Sequence, residues 1–361
     1  MIHPYKGLPP DRFWSRGVSS IPPFELDPLG QTTFHISKTD RIVTAGSCFA
    51  QHIARHLARS GYCYHVTETR PEGMSETEAR DRQYGLFSAR YGNLYTTLQL
   101  RQLIEEALFG RHSDQRRTFF SRLIGSQSQR LPDWPLSSGA FVDPLRPTVE
   151  PNGFASLTEM LSDRRRHLAA VKLALEQADV FVFTLGLTEG WLHKPTNTAL
   201  PLAPGVYGGA WNEDYAFFNH GTEEVTRNLL SALTLIRVHN PKCRFILTVS
   251  PVPLAATYAN RHVLQSTVYS KSVLRVAAQS VSDALPGTLY FPSYEIITAP
   301  GMNYYDADLR NVSERGVAHV MRVFSERIAN SGAPRLDLMD QINESVERTK
   351  NIICDEERLA H

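Results

Sequence analysis

Short apolar runs rich in β-branched residues alternate along the chain with longer amphipathic patterns, and this alternation limits the possible folds more than any other feature. Strands are predicted at 41–46, 62–67, 179–185, 243–249 and 288–293. Helices are predicted at 49–59, 95–109, 156–177, 222–238, 267–284 and 313–330. Strands that alternate with helices form a mainly parallel sheet that is covered on both faces. The sequence therefore predicts an α/β fold.

Two long stretches interrupt this alternation. Residues 110–155 and 194–220 are rich in Pro, Gly, Trp and polar residues and are interpreted as loop insertions, which in compact folds often serve as lids. The tail 336–361 has the pattern of an amphipathic helix, either docked on the protein or used in an oligomer contact. We expect one domain over 1–335, followed by this helical tail.

Composition and charge exclude several classes of partner. The hydrophobic share is 42%, enough for a core, and the net charge of +1 gives no field that would attract nucleic acid. Neither a signal peptide nor a membrane-spanning run is evident, so we expect a cytoplasmic protein without membrane insertion. The cysteines at 48, 63, 243 and 354 form no CxxC pair, so neither a metal nor another cofactor is expected.

The predicted first strand ends in Gly46, and a helix begins near Phe49. Ser47 and Cys48 would then lie at a helix N-terminus, where free amide groups and the helix dipole stabilise a thiolate or an oxyanion. A structural alternative is that Ser47 caps the helix and Cys48 packs in the core. The turn is either a nucleophile site or an ordinary helix start.

Several motifs in a fixed order accompany this turn. Residues 46–50 read GSCFA, and the further motifs are at 91–96, 141–147, 185–191, 250–253, 270–275 and 291–295. With these motifs the chain resembles the GSCFA family over most of its length. That family is similar to the SGNH (GDSL-like) hydrolases, which are three-layer α/β/α esterases, lipases and carbohydrate O-acyl esterases or acyltransferases. The resemblance implies a three-layer α/β/α sandwich with a central, mainly parallel sheet and loop insertions.

The resemblance also implies roles for individual residues. The SGNH nucleophile stands two residues after a strand-ending glycine, a spacing that leads from Gly46 to Cys48, with Ser47 as the competing nucleophile. Gly92, followed by Asn93, matches the glycine whose amide contributes to the oxyanion hole.

The third block of the SGNH pattern matches residues 186–189. Thr188 stands where a donor asparagine is expected, and its hydroxyl can still donate a hydrogen bond. Glu189 follows it in the block. Without the resemblance, Thr188 and Glu189 read as a helix-capping pair and Gly92 as a turn glycine.

One departure from the SGNH pattern bears on catalysis. Where Asp-x-x-His is expected, the chain has Asp308 and Asn311, and an amide cannot act as a general base. His262 is the first candidate to replace the histidine, and His319 is a weaker one. Lys271 and Arg275, one helical turn apart, could bind a carboxylate or phosphate of a substrate, although a solvated helix face is the more frequent outcome.

The sequence thus predicts an esterase or O-acyltransferase that acts on an acylated carbohydrate or another small ester through a covalent acyl-enzyme. Trp134, Trp191 and Trp211 lie in or beside the two insertions and suggest surfaces that stack on a sugar or acyl group. The alternative is a catalytically silent SGNH-like module that binds a carbohydrate or acyl ligand, and Asn311 is its main support.

Overall fold

The computed structural model describes residues 3–110, 131, 134–329, 355 and 358. Its strands are β1 (Ile42–Gly46), β2 (Trp134–Pro135), β3 (Phe141–Val142), β4 (Val180–Leu185), β5 (Glu189–His193), β6 (Thr198–Leu200), β7 (Tyr215–Asn219), β8 (Arg244–Val249) and β9 (Thr288–Tyr290). Its α-helices are α1 (Ala50–Arg59), α2 (Glu76–Asp81), α3 (Thr97–Phe109), α4 (Leu157–Gln177), α5 (Thr222–His239), α6 (Val263–Ala284), α7 (Ser293–Thr298) and α8 (Glu314–Phe324).

The main sheet is parallel, with strand order β1-β4-β8-β9. Its central strands are buried on both faces, as strands between two helix layers must be. On one face, Phe181 and Phe183 pack in a cluster with apolar residues of α3, α4, α5 and α6. On the other face, Val180 and Val182 belong to a second cluster with residues of α1, α7 and α8. The fold is therefore a three-layer α/β/α sandwich, as predicted.

The helices agree with the amphipathic pattern, and the differences occur at element ends. The last sheet strand stops at Tyr290 instead of 293, because Pro292 has no amide hydrogen for a strand ladder and α7 begins at Ser293. The last predicted helix stays α-helical only to Phe324 and ends in a π turn at Ser325–Ala329.

The strand predicted at 62–67 is wrong. Only Tyr64 forms a bridge, with Ile42 at the outer edge of β1. Further along the segment, the Thr67 amide donates to the carbonyl oxygen of Ser88 and not to β1. The β-branched and aromatic residues of this segment therefore cover the sheet edge without extending it.

The segment 194–220, predicted as a loop insertion, contains two strands. β6 and β7 flank β5 in an antiparallel sheet of three strands, in the order β6-β5-β7. In the segment 110–155, β2 and β3 form a hairpin whose Trp134 is buried in a small cluster with Tyr215. Residues 111–130 of this segment lie outside the described residues, as does the predicted helical tail 336–361 apart from positions 355 and 358.

Among the helices that the structure describes, none combines the length and the hydropathy needed to cross a bilayer.

Candidate functional site

The turn after β1 is pressed against the end of β4. Gly46 has a φ of +138°, a conformation that favours glycine. A β-carbon at this position would lie 2.7 Å from the backbone nitrogen of Thr184. The Ser47 amide donates to the Thr184 carbonyl oxygen over 3.2 Å, and a β-carbon on Gly186 would lie 2.9 Å from that of Ser47. Glycine at 46 and 186 therefore lets the two turns meet.

Ser47 and Cys48 are both buried at the start of α1, with exposed fractions of 2% and 4%. The Ser47 hydroxyl has no hydrogen-bond partner within the described part of the chain. Cys48 belongs to the hydrophobic cluster that also contains Val252 and Tyr304. The Ala50 amide donates to the Ser47 carbonyl oxygen over 2.9 Å, so helical geometry begins at once. Both candidate nucleophiles therefore lie at the positive end of the helix dipole.

The motif at 91–96 lies between the two turns. The Leu94 amide donates to the Gly46 carbonyl oxygen over 2.9 Å. The Tyr95 carbonyl oxygen accepts hydrogen bonds from the amides of residues 186 and 187, at 3.2 and 2.8 Å. Three motifs that are far apart in sequence thus meet at the carboxyl edge of the parallel sheet, where open α/β folds bind their ligands.

Asn93 points its amide nitrogen into a small polar pocket beside these turns. It follows Gly92, whose φ of +67° favours glycine. The Asn93 Oδ1 accepts a hydrogen bond from Gln51 Nε2 at 3.4 Å, and its Nδ2 donates to the Asp355 carboxylate at 2.8 Å. The Thr148 hydroxyl donates to the other oxygen of this carboxylate at 2.9 Å. The structure therefore brings Gly92 and Asn93 to the turn that contains Ser47 and Cys48.

Thr188 and Glu189 form a polar network at the start of β5. The Thr188 amide donates to Ser270 Oγ at 3.1 Å, and its hydroxyl donates to Asn219 Oδ1 at 2.7 Å. The Glu189 carboxylate accepts hydrogen bonds from the Thr257 hydroxyl at 2.7 and 3.0 Å. A threonine hydroxyl has one proton to donate, and in this conformation that of Thr188 is directed at Asn219 and not at a ligand.

Lys271 lies behind the turn after β4. It is 1% exposed, and its Nζ donates to the Gly186 carbonyl oxygen at 2.8 Å. Arg275, one helical turn further along α6, pairs with Glu295 at 2.6 Å. The two cations therefore do not form a joint anion site in this conformation, and Lys271 holds the backbone of the glycine turn in place.

Asp308 and Asn311 pair with each other at the protein surface. The Asn311 amide and side chain donate to the Asp308 carboxylate at 2.9 and 2.7 Å, and both residues are exposed. Among the described residues, no hydrogen bond or ion pair joins this pair to Ser47 or Cys48. The neighbouring Tyr305 hydroxyl donates to the carbonyl oxygen of Pro251, two residues after the end of β8.

His262 is the exposed N-cap of α6. Its Nδ1 accepts a hydrogen bond from the Leu264 amide at 3.1 Å. This capping contact accounts for the histidine locally, because a capped helix start satisfies an otherwise free amide. Within the described part of the chain, no hydrogen bond connects His262 with the turn at Ser47 and Cys48.

Two other histidines lie in the layer that contains α1 and α8. His319 is buried, with Nδ1 2.9 Å from the Tyr304 hydroxyl and Nε2 2.6 Å from the Leu26 carbonyl oxygen, and burial lowers its pKa to about 4. His52 follows Cys48 by one helical turn, and desolvation lowers its pKa to about 3. Sequence reasoning passed over His52, although i,i+4 spacing from Cys48 could have identified it. Imidazoles with such low pKa values are weak bases at neutral pH.

A buried network of ion pairs braces the segments beside the pocket. Arg90 is 1% exposed and pairs with Glu150 at 2.6 Å and with Asp163 at 3.3 Å. Arg146 pairs with Asp143 at 3.0 Å and with Asp163 at 2.8 Å. Asp163 lies on α4 and therefore joins both arginines to one helix. The network holds the segments before Tyr91 and after Pro147 against each other.

Two carboxylates of this region, Asp143 and Glu68, stay ionised despite their burial. Burial raises the pKa of Asp143, but Arg164 and Arg146 outweigh this effect and hold it well below its usual range. Burial likewise raises the pKa of Glu68, while its contacts with His167, Arg146 and a backbone amide lower it to about 2. Because each buried charge has a partner, removal of one member leaves another uncompensated.

An aromatic cluster covers one face of the small sheet. The ring of Trp191 lies 5.2 Å from that of Trp211, 5.7 Å from Phe217 and 4.9 Å from Tyr258. Trp211 and Tyr258 are 55% and 65% exposed. Glu189 lies on the same face as Trp191, because alternate residues of a strand point to one side. Trp134 is buried in the adjoining cluster against which Trp191 packs, and it does not reach the surface.

The protein is an α/β protein with tight glycine turns after the parallel strands β1 and β4. Its candidate site, with a thiol and a hydroxyl at the start of α1, lies at the carboxyl edge of the sheet. The GSCFA family model matches residues 41–324, a range that includes the whole main sheet and every motif turn described above. The chain belongs to the GSCFA family. The comparison with curated proteins gives no match.

Proposed function

We propose that the protein is an SGNH-like esterase or O-acyltransferase that acts on an acylated carbohydrate or a small ester through a covalent acyl-enzyme. The observation that carries this proposal is the meeting of turn 46–48, segment 91–95 and turn 186–187 at one sheet edge. This meeting puts two candidate nucleophiles at a helix N-terminus beside the side-chain donor Asn93. Acyl transfer requires both a nucleophile and donors for the developing oxyanion.

In the proposed reaction, the Cys48 thiol first loses its proton to solvent. The thiolate attacks the ester carbonyl carbon, and the oxyanion accepts hydrogen bonds from the amides of Cys48 and Gly92 and from Asn93 Nδ2. Asn93 takes the part that the sequence assigned to Thr188, whose proton is directed at Asn219. The carbon–oxygen bond then breaks, and the alcohol leaves with a proton from water. Water or a sugar hydroxyl attacks the thioester carbonyl, gives its proton to solvent, and the carbon–sulfur bond breaks to release the thiolate.

The aromatic cluster on the small sheet supports a carbohydrate as part of the substrate. Trp191, Trp211 and Tyr258 present ring faces and edges on the surface of β5. Exposed aromatic rings suit a sugar, because the rings contact its carbon–hydrogen faces.

The second candidate function is a catalytically silent module that binds a carbohydrate or acyl ligand in the same place. Its support is the pairing of Asn311 with Asp308 at the surface, where the SGNH pattern has its catalytic histidine. The low pKa values of His52 and His319 also support this function, because both imidazoles are weak bases at neutral pH.

The two functions differ in covalent chemistry. The full chain is incubated with p-nitrophenyl acetate and with an acetylated monosaccharide, and its intact mass is followed with time. An acetyl adduct that Cys48→Ala abolishes, together with release of p-nitrophenol, supports the enzyme. Saturable binding of the acetylated sugar without an adduct or hydrolysis contradicts the enzyme and supports the binding module.

A further inference from the structure

A side chain from the end of the chain fills the polar pocket beside Gly92. Asp355 is 3% exposed. Its carboxylate accepts hydrogen bonds from Asn93 Nδ2 at 2.8 Å and from the Thr148 hydroxyl at 2.9 Å, and its amide donates to the Tyr95 hydroxyl at 3.2 Å. Asn93 and Asp355 are 262 positions apart in sequence. The place next to the candidate oxyanion donors is thus taken by the protein itself.

The two donors of this pocket are oriented by residues behind them. Gln83 Nε2 donates to the Thr148 hydroxyl oxygen at 2.9 Å. Because that oxygen accepts from Gln83, its single proton is free to point at Asp355. Gln51 Nε2 contacts the oxygen of the Asn93 amide, which leaves the amide nitrogen facing the same point. Both donors are therefore aimed before any occupant arrives, as preorganised donors in a binding site are.

The side chains that contact the Asp355 carboxylate directly are uncharged hydrogen-bond donors. Among the residues that the structure describes, no cationic side chain pairs with the Asp355 carboxylate. Arg358 instead stacks on the ring of Tyr207, with its guanidinium carbon 4.3 Å from the ring centre. Burial raises the pKa of Asp355, and its hydrogen bonds together with the charge of Arg358 only partly oppose this effect. Neutral donors in a buried place suit an uncharged carbonyl better than an ion.

We propose that Asn93 and Thr148 form a subsite for a neutral acyl or amide carbonyl group of a ligand, and that Asp355 occupies this subsite in cis. The ligand and the Asp355 side chain then cannot occupy the subsite together, so Asp355 acts as an intramolecular competitor of the ligand. The identification of this carbonyl with the transferred acyl group rests on the proposed function, whereas binding at the subsite does not require turnover.

The test uses the full chain with Asp355→Gly and compares acetamide with acetate as probes at pH 7.5. Binding is followed by the side-chain amide resonance of Asn93 in ¹⁵N-labelled protein. Saturable shifts with acetamide are expected in Asp355→Gly, at concentrations at least about tenfold lower than in the unsubstituted chain, and with acetate only more weakly. Adding Thr148→Val, which removes one donor at nearly constant volume, is expected to weaken acetamide binding about two- to tenfold.

Equal acetamide binding with and without Asp355 would overturn the competition, and tighter binding of acetate would overturn the neutral class. Binding that Thr148→Val leaves unchanged would overturn the subsite. If Asp355→Gly does not fold, Asp355→Ala serves in its place, because it also removes the carboxylate from the subsite. Absence of ester hydrolysis in every variant contradicts the proposed function alone. Hydrolysis without acetamide binding contradicts this inference alone.

Discussion

A β-carbon on Gly46 would lie 2.7 Å from the backbone nitrogen of Thr184, so β1 and β4 touch backbone to backbone where the turn to Ser47 and Cys48 begins. The φ of +138° at Gly46 adds a second requirement for glycine. Steric contact and backbone conformation therefore both limit this position to one residue type.

Gly46→Ala is expected to lower the free energy of unfolding by about 2–4 kcal/mol, from overpacking together with backbone strain. Urea denaturation measures the loss. Gly73→Ala is the matched control, because Gly73 also has a positive φ, +82°, but open space around its α-carbon; its cost is expected to be about 1 kcal/mol. Equal losses in the two variants would show that the contact with Thr184 contributes nothing.

The nucleophile prediction separates the two neighbours Ser47 and Cys48. Cys48→Ser is expected to lose nearly all esterase activity, because an alcohol without a basic partner is a weak nucleophile, whereas Ser47→Ala keeps a measurable part. A helix N-terminus stabilises a thiolate, which reduces the need for a histidine base. Initial rates with p-nitrophenyl acetate measure these activities. Full activity in both single mutants and in the double mutant would contradict the covalent mechanism.

The ion network predicts a specific loss of stability in acid. The pKa of Glu68 is lowered from 4.5 to about 2, so its contribution is complete above pH 4.5 and disappears as the pH falls toward 2. Glu68→Gln is expected to cost on the order of 2–3 kcal/mol at pH 7 and to flatten the stability curve between those limits. Urea unfolding at several pH values measures it. Glu223→Gln, at a side chain 85% exposed, is the control and leaves the curve unchanged.

The aromatic cluster predicts a saccharide contact at Trp211. Trp211→Ala is expected to weaken binding of an acetylated sugar about two- to tenfold, because one stacking contact is lost, while the exposed side chain adds little to stability. Calorimetric titration measures the affinity and a thermal melt the stability. Trp14→Ala removes a similarly exposed tryptophan, 66% accessible, outside the cluster. If it weakens binding equally, the cluster is not the binding surface.

The sequence predicted the main sheet because its strands are apolar over their full length and are separated by regular amphipathic helices. The same pattern failed at 62–67, where β-branched and aromatic residues line a sheet edge and form a single bridge at Tyr64. It also failed at β6, which is buried but only three residues long, and at β7, which is mostly half-buried. Local propensity does not report whether a neighbouring strand is available to pair with.

The candidate site was predictable as far as it is local. Gly46 and its neighbours form a turn whose spacing is visible in the sequence, and the structure joins it to Asn93 and Gly186. The contact between Asn93 and Asp355 is not predictable, because nothing within either segment specifies a partner 262 positions away. The pairing of Arg90 with Asp163 escaped prediction for the same reason, since a charge in a sequence does not name its counterion.

The attachment of β1 to the sheet has a consequence for the order of assembly. The Arg41 amide bonds to Asp179, 138 residues later, so the first strand closes a very long loop when it pairs with β4. Closing such a loop costs more entropy than joining β8 to β9, and long-range pairing slows folding. During synthesis, the GSCFA turn cannot reach its final shape until the ribosome has passed residue 185. The residues made early are therefore among the last to become a site.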